Sequence, residues 1–370
     1  MKIQLKPVAQ QVIVITGATS GIGRATALAA AQQGAHIVVA SRDSDALDAL
    51  VDELNAQGAQ ALAVPTDVGD MVDHQNLMDA ALARFGHVDT WVNNAGVSVF
   101  GRLEDVPIDD QRQLFETNFW GVVYGSLVAA RHLKKSGGAL INLGSELSDV
   151  AVPLQGAYSA SKHAVKGYTD ALRMELLQEN APVSVTLIKP ASINTAFVDN
   201  APNYMAYRAQ LPAPLYDPSV VAKAILFAAA NPRRDIYVGS ASKVTSSLAH
   251  RAPALLDKIM ASVMYRQQRT DVPNGEPGGA LHKSRHKPML SASTDRTVRQ
   301  HSAYTTLTTS GQKPALAGGA LAAVLLVAGT LLWKRSGANR PGMYLMHAIS
   351  PGGEHHRRGE AVVGLKGVFR

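Results

Sequence analysis

Short apolar runs rich in β-branched residues alternate with longer segments of helical period between about residues 12 and 239. The runs cover residues 12–16, 36–41, 61–65, 90–94, 139–143, 183–188 and 236–239. They lack polar alternation, which is typical of strands buried on both faces, and the helical segments between them suit right-handed crossovers. The pattern therefore predicts an α/β fold with a doubly wound parallel sheet, assigned to residues 1–249.

The alternation of strands and helices ends at residue 239, and the domain boundary is assigned to residue 249. Residues 250–269 predict an amphipathic helix that packs on the core or a partner subunit, or lies on a membrane surface. Residues 270–314 are rich in Gly, Pro, Ser, Thr and basic side chains and predict a disordered linker. Residues 315–333 carry no charge and predict a transmembrane helix, with a buried soluble helix as the alternative. A basic tail, residues 334–370, follows.

The formal net charge of +7 is unevenly distributed. Residues 1–249 carry 19 Lys and Arg against 23 Asp and Glu, a net charge of −4, whereas the rest of the chain has a net charge of +11. The net negative charge of residues 1–249 does not predict nucleic-acid binding by that domain. The basic tail is either solvated or close to phosphate headgroups. The chain has no cysteine, which excludes thiol chemistry, and its histidines show no metal-ligand spacing, so no metal is expected.

A glycine-rich loop directly follows the first apolar run. Gly17, Gly21 and Gly23 lie in TGATSGIG, and a helical segment begins near Ile22. Glycines at this spacing allow a tight turn and a close approach of backbone N–H groups to a pyrophosphate, and the start of the helix favours negative charge. The context of strand, loop and helix predicts a dinucleotide site.

TGATSGIG resembles the TGxxxGIG pattern of the short-chain dehydrogenase/reductase family, and NNAG at residues 93–96 resembles the segment that follows that family's fourth strand. The resemblance covers roughly residues 11–239 and implies a Rossmann-type sheet. It also implies that Asp67 and Val68 contact the adenine. The cofactor residues that it implies in this half of the chain are Gly17, Ser20, Gly21, Ile22, Gly23, Asp67, Val68, Asn94, Ala95 and Gly96.

Arg42 directly follows the second run, in the segment ASRDSD. An enzyme that prefers NAD places a carboxylate here for the ribose 2′-hydroxyl, whereas a 2′-phosphate favours an arginine fork. Arg42 therefore predicts a preference for NADP(H), with NAD(H) as the alternative.

Tyr158 and Lys162 are four residues apart at the start of a predicted helix, so their side chains share one face. A phenol is a poor base near neutrality, and we expect the ammonium of Lys162 to lower its pKa. The family resemblance implies that Ser145 binds the substrate oxygen, that Tyr158 transfers its proton, and that Lys162 also holds the nicotinamide ribose. It implies that Asn118 orders a water through its backbone; an Asn at a helix kink is the alternative.

The segment KPASINT resembles the family's PGxxxT motif, which implies that Pro190, Ile193 and Thr195 close over the nicotinamide and its phosphates. Ala191 replaces the motif's glycine. An alanine would be strained there if the position needed a positive φ.

The resemblance implies reversible hydride transfer between the nicotinamide and a carbonyl or secondary alcohol. Residues 197–218 correspond to a variable substrate lid, and their aromatic, Met and Pro content favours a lipophilic substrate. The alternative function is a non-catalytic NAD(P)-binding regulator or scaffold at the membrane. We expect a homo-oligomer that binds a small-molecule substrate and no nucleic acid, anchored by residues 315–333 with its catalytic domain in the cytoplasm.

Overall fold

The computed structural model describes residues 3–275, 277–283, 290–291 and 294–310. The strands are β1 (Val12–Thr16), β2 (His36–Ser41), β3 (Ala61–Pro65), β4 (Thr90–Asn93), β5 (Gly138–Leu143), β6 (Val183–Pro190), β7 (Tyr207–Ala209), β8 (Leu215–Tyr216), β9 (Asp235–Val238), β10 (Arg269–Pro273) and β11 (Val298–Arg299). Seven of them form a parallel sheet in the order β3-β2-β1-β4-β5-β6-β9. The prediction of a Rossmann-type parallel sheet is confirmed.

The α-helices are α1 (Gly21–Gln32), α2 (Ser44–Ala56), α3 (Met71–Phe85), α4 (Ile108–Phe115), α5 (Gly121–Ser136), α6 (Gly156–Gln178), α7 (Pro218–Ala230), α8 (Ser240–Arg251), α9 (Pro253–Ile259), α10 (Tyr265–Gln267) and α11 (Ala303–Thr309). Glu116–Trp120 and Met260–Met264 are π-helical, and Val8–Gln10 and Glu146–Ser148 form 3₁₀ turns. No helix in the described part of the chain is both long and apolar enough to cross a bilayer.

The sheet is covered on both faces, and β1 shows why its sequence is apolar throughout. All five residues of β1 are buried, and the four apolar ones alternate between two clusters. Ile13 and Ile15 pack in the cluster that also holds residues of α1, α2 and α7, whereas Val12 and Val14 pack in the cluster of α3, α5 and α6. A strand that contributes to two cores needs apolar side chains on both faces.

The strand order reverses between β1 and β4, because β2 and β3 extend the sheet on one side of β1 and β5, β6 and β9 extend it on the other. In parallel sheets the crevice at the carboxyl ends of the strands beside such a reversal is the usual ligand site. The fold therefore brings the loops after β1, β4, β5 and β6 to one edge.

The prediction of a disordered linker is wrong for the described residues between 270 and 310. β10 pairs with β7, β11 pairs with β8, and α11 contacts β9 and α7. Leu281 is 1% exposed. The segment buries few side chains of its own and is held largely through backbone hydrogen bonds to the rest of the fold, which polar composition does not reveal.

The predicted boundary at residue 249 falls within α8, and the predicted helix over 250–269 takes the form of α9, the second π-helical turn and α10. The predicted transmembrane helix, residues 315–333, and the basic tail lie outside the described residues.

Candidate active site

The loop between β1 and α1 is a cradle of closely packed glycines. Gly17 and Gly21 have φ angles of +64° and +50°. A Cβ atom on Gly17 would lie 2.8 Å from the Cα of Ala95, and one on Gly23 would lie 2.2 Å from the carbonyl oxygen of Gly17. Only glycine fits at these positions, and the absence of side chains leaves the backbone N–H groups accessible to a pyrophosphate.

Ser20 precedes α1 as its N-cap residue, but its side chain makes no capping hydrogen bond. The first turn of α1 contains no acidic residue, so the positive end of the helix is not neutralised there. Asn94 closes the loop from the other side, because its Nδ2 donates to the carbonyls of Thr16 and Gly17 at 2.9 and 3.1 Å. The residues present therefore fit a dinucleotide phosphate.

One cavity of about 430 Å³ lies at this edge of the sheet. All predicted site residues except Gly23 and Asn118 line it: Gly17, Ser20, Gly21, Ile22, Arg42, Asp67, Val68, Asn94, Ala95, Gly96, Ser145, Tyr158, Lys162, Pro190, Ile193 and Thr195. Gly23 lies beneath the loop, where it contacts Gly17 and Asn94. The topology thus brings together residues from motifs that are up to 178 positions apart in the sequence, Gly17 and Thr195.

Asn118 is fully buried in the first π-helical turn, Glu116–Trp120. Its Oδ1 accepts from the backbone N–H of Val97 at 2.8 Å, and its Nδ2 donates to the carbonyl of Val97 at 2.9 Å and to Ser161 Oγ at 3.2 Å. The side chain therefore fixes the loop after β4 against α6. Because the side-chain oxygen and nitrogen both bond to protein groups, the predicted role of ordering a water rests with the backbone of Asn118.

Ser145 follows β5 and begins a 3₁₀ turn. Its Oγ accepts from Leu147 N–H at 3.1 Å, while Ser148 Oγ accepts from Ser145 N–H at 3.1 Å. This capping box fixes the serine in the wall of the cavity that Tyr158 also lines, close enough to oppose the rise in the pKa of that phenol. Tyr158 lies in the first turn of α6.

Lys162 lies one helical turn after Tyr158, and its Nζ is 5.7 Å from the centre of the phenol ring. The Nζ donates to the carbonyl of Leu143 at 2.8 Å. Burial lowers the pKa of Lys162 to about 8.

The expected lowering of the Tyr158 pKa is wrong for this arrangement. Burial raises the pKa of Tyr158 to about 12; the hydrogen bond with Ser145 opposes this shift, and the carboxylate of Glu146 adds to it. The ammonium of Lys162 donates its hydrogen bond to the carbonyl of Leu143, and burial lowers the pKa of this ammonium. Tyr158 is therefore protonated at neutral pH and is a proton donor in this state.

Glu146 directly follows Ser145 and lines the same cavity. Burial raises the pKa of this carboxyl to about 7. Sequence reasoning passed over it, although it stands beside a predicted catalytic residue. Its ionisation near neutrality places a charge that changes with pH next to Tyr158.

Ala191 does not need the left-handed conformation, because Leu154 and Asn180 are the non-glycine residues with positive φ in the described part. Its amide donates to the carbonyl of Val238 at 2.9 Å. The loss of the motif's glycine is thus accommodated without backbone strain.

A model described as short chain dehydrogenase matches residues 11–205. The chain belongs to the short-chain dehydrogenase/reductase family. YxnA of Bacillus subtilis (strain 168), an uncharacterized oxidoreductase, is 45% identical over 276 residues, which are 74% of this chain and 78% of YxnA. With the family comes the coarse activity, so the chain is a nucleotide-binding oxidoreductase.

Two solved structures are similar to this chain. A short chain dehydrogenase/reductase from Burkholderia phymatum in complex with NAD has a TM-score of 0.60 and 29% identity, over 74% of this chain and 100% of that chain. An alcohol dehydrogenase from the archaeon Thermococcus sibiricus, complexed with 5-hydroxy-NADP, has a TM-score of 0.54 and 28% identity, over 61% of this chain and 94% of that chain.

Outside the family's motifs, the C-terminal part of the described chain supplies cavity walls that sequence reasoning did not assign. These residues are Met260, Met264, Gln268 and Ala280. The helical spacing of Met260 and Met264 signalled a buried stripe, although not which cavity it covers. Gln268 carries no such signal, because a single glutamine in a polar segment is ordinarily solvated.

Proposed function

We propose that the protein transfers hydride reversibly between NADP(H) and a carbonyl or secondary alcohol carbon, with Ser145, Tyr158 and Lys162 as its chemical groups and Asn118 as their support. The joint position of Ser145 and Tyr158 in the wall of one cavity carries the proposal. It offers two groups to one substrate oxygen beside a glycine cradle that fits the cofactor's phosphates.

The nicotinamide, when bound, supplies or accepts the hydride at C4. Ser145 holds the substrate oxygen, and Tyr158, with a pKa of about 12, gives its proton to that oxygen as the carbonyl is reduced. In alcohol oxidation Tyr158 must first lose its proton. In this proposal Lys162 holds the nicotinamide ribose and passes that proton on, and the backbone of Asn118 orders a water in the same relay.

The proposed preference for NADP(H) rests on Arg42, which lines the cavity at the end of β2. Asp43, the next residue, accepts from Ala46 N–H at 3.1 Å at the start of α2, so its carboxylate has a structural role there. Binding of NAD(H) is the alternative, and among the similar structures one is described with NAD and another with 5-hydroxy-NADP.

A lipophilic substrate is supported by the walls of the cavity beyond the Ser145 and Tyr158 pair. Leu147, Val150, Val152 and Met260 form an apolar cluster against which Tyr158 packs. The same four residues line the cavity. An apolar substrate would also suit an enzyme held at a bilayer.

The decisive experiment is a screen for NADPH oxidation against aldehydes, ketones and quinones, with NADH in parallel. Turnover with any class supports the enzyme. Tight NADPH binding without turnover would favour the alternative, a non-catalytic NAD(P)-binding regulator or scaffold. The joint presence of Tyr158 and Lys162 in the cavity argues against that alternative, since a binding module needs neither.

The proposed location is the cytoplasmic face of a membrane, with residues 315–333 as a single spanning helix and the oxidoreductase in the cytoplasm. Its support is the uncharged run itself, which Lys334 and Arg335 follow. Fractionation of the full chain beside a variant lacking residues 315–333 tests the anchor, and protease added outside intact cells tests the orientation. The proposed homo-oligomer is tested by light scattering of the same shortened chain.

A further inference from the structure

Apolar side chains that pack against Tyr158 form part of the cavity wall. Phe197 packs edge-on against the ring of Tyr158 at 5.4 Å between centroids. The other apolar walls are Leu147, Val150, Val152, Leu211, Met260 and Met264. In such surroundings a polar atom without a hydrogen-bond partner destabilises the folded protein.

Gln268 is such a residue. It lies between α10 and β10, it is 1% exposed, and it lines the cavity. Its Oε1 is buried and has no hydrogen-bond partner among the described residues. Buried acceptors are almost always paired, so this one calls for a partner that the protein itself does not supply.

The orientation of the amide is set by its neighbours. The Nε2 of Gln268 donates to the carbonyl of Pro153 at 2.7 Å and to that of Met264 at 3.3 Å. A flipped amide would direct an oxygen at two carbonyl oxygens, so the oxygen must occupy the unpaired position.

The backbone of Gln268 is also fixed. Its N–H donates to the carbonyl of Met264 at 3.1 Å, and its carbonyl accepts from Gln210 N–H at 2.9 Å. Gln210 belongs to the predicted lid, so Gln268 joins the lid to the C-terminal helices. The acceptor is therefore held in place before any ligand arrives, which lowers the entropic cost of binding to it.

We propose that Gln268 Oε1 accepts a hydrogen bond from the substrate, which is accordingly an apolar carbonyl compound or alcohol that carries a second donor, a hydroxyl or amino group, apart from its reacting carbon. The inference rests on the proposed function and narrows its substrate class. A substrate without that donor leaves the acceptor unpaired, and enzymes discriminate strongly against such analogues.

Matched aryl ketones test this assignment, for example 4-phenylbutan-2-one and its derivatives with hydroxyl, amino or methoxy at the same ring position. We expect kcat/KM at least tenfold higher for a hydroxyl or amino member than for both the unsubstituted and the methoxy members, because methoxy is polar but donates no hydrogen bond. Binding to the NADPH complex, measured by the ligand-induced rise in Tm, should follow the same order.

Gln268→Met should abolish this preference while leaving the Kd for NADPH unchanged. Gln210→Met is the matched control, because Gln210 Nε2 also donates to a backbone carbonyl, that of Arg269 at 2.9 Å, but Gln210 does not line the cavity. The control should keep the preference. The comparison of ketones on the natural protein remains decisive even if the Gln268 variant is unstable.

Donor-bearing members that neither bind nor react better than the methoxy and unsubstituted members would overturn the inference, as would a preference that survives in Gln268→Met. Turnover without selectivity sinks this inference and leaves the proposed function standing. Selective binding without turnover contradicts the proposed function and leaves this inference standing.

Discussion

The guanidinium of Arg42 donates from Nη2 to the carbonyl oxygen of Ala280 at 2.8 Å. A second bond runs from Nη1 to the carbonyl of Leu281 at 3.3 Å. These contacts join the end of β2 to a segment that lies 238 residues further along the chain. The arginine predicted to recognise the cofactor is thus oriented by a segment whose composition indicated disorder, and a 2′-phosphate has to bind it in competition with, or beside, these carbonyls.

Arg42→Ala should lower the ratio of kcat/KM for NADPH to that for NADH by about 10- to 100-fold, since charge-assisted bonds to a phosphate contribute about 1.5–3 kcal/mol. Steady-state kinetics with both cofactors measures the ratio. Arg42→Lys keeps the charge but loses the planar fork, so it should give an intermediate ratio. An unchanged ratio in Arg42→Ala would remove Arg42 from cofactor selection.

Tyr158→Phe should reduce kcat by about 10²- to 10⁴-fold, the usual contribution of a positioned acid, with the Kd for NADPH nearly unchanged. Stopped-flow turnover and fluorescence titration of NADPH separate the two effects. Tyr204→Phe is the matched control. It also removes a phenol hydroxyl, one that donates to Asp110 at 2.6 Å, but Tyr204 does not line the cavity. Substantial turnover by Tyr158→Phe would contradict the assignment.

Glu146→Gln should shift the pH dependence of alcohol oxidation. The ionised carboxylate of Glu146 raises the pKa of Tyr158, so its removal makes the phenol easier to deprotonate. The ascending limb of the kcat/KM profile, on which Tyr158 loses its proton, should therefore move to lower pH. Glu104→Gln removes an exposed carboxylate outside the cavity and should leave the profile unchanged. A shift in the opposite direction would show that the two groups do not interact as described.

The same substitution has a stability signature. The pKa of Glu146 is raised in the folded protein to about 7, so the folded state binds more protons than the unfolded state between its ordinary pKa and pH 7. The natural protein therefore loses stability as pH rises through that window. In thermal unfolding, Glu146→Gln should gain stability relative to the natural protein at pH 8 and not at pH 4. A constant difference between the two would exclude this cause.

Local patterns predicted the sheet well because β1 and β2 bury every second side chain in each of two cores, which leaves a continuous apolar run in the sequence. The spacing of the family's motifs likewise predicted that Ser145, Tyr158 and Lys162 lie together, and all three line one cavity. Gln268 and Ala280 were not predictable. Gln268 enters the cavity wall through a buried side chain on a polar segment, and Ala280 acts through its carbonyl, so neither position depends on a recognisable side-chain pattern.

The pKa of Tyr158 could not be predicted from spacing either. Four residues along a helix bring Lys162 near the phenol ring, but the direction of its Nζ depends on the carbonyl of Leu143, whose position is a property of the assembled fold. Glu146 adds a negative charge that the spacing of Tyr158 and Lys162 does not include.

A buried ion pair connects the site to the C-terminal helices. Lys189 Nζ, at the end of β6, lies 3.0 Å from Asp149 Oδ2, and their side chains are 2% and 1% exposed. Burial alone would raise the pKa of Asp149, but hydrogen bonds from Ser246 and Lys189 outweigh it and hold that pKa below its usual value. Ser246 belongs to α8, so the pair ties α8 to the turn that begins with Ser145.

Lys189→Met should lower the free energy of unfolding by about 3–5 kcal/mol, because it leaves the carboxylate of Asp149 buried without its cation. Urea unfolding measures the loss, and the double variant Lys189→Met with Asp149→Leu should recover most of it. Lys166→Met breaks a more exposed pair with Asp170, 3.2 Å apart, and should cost less than about 1 kcal/mol.

Since the pKa of Asp149 is depressed in the natural protein, the contribution of the Lys189–Asp149 pair is present above the ordinary carboxyl pKa and is lost as pH falls below it. The difference between Lys189→Met and the natural protein should therefore shrink in acid, and a loss of equal size in both lysine variants would show that burial of the pair does not set its contribution.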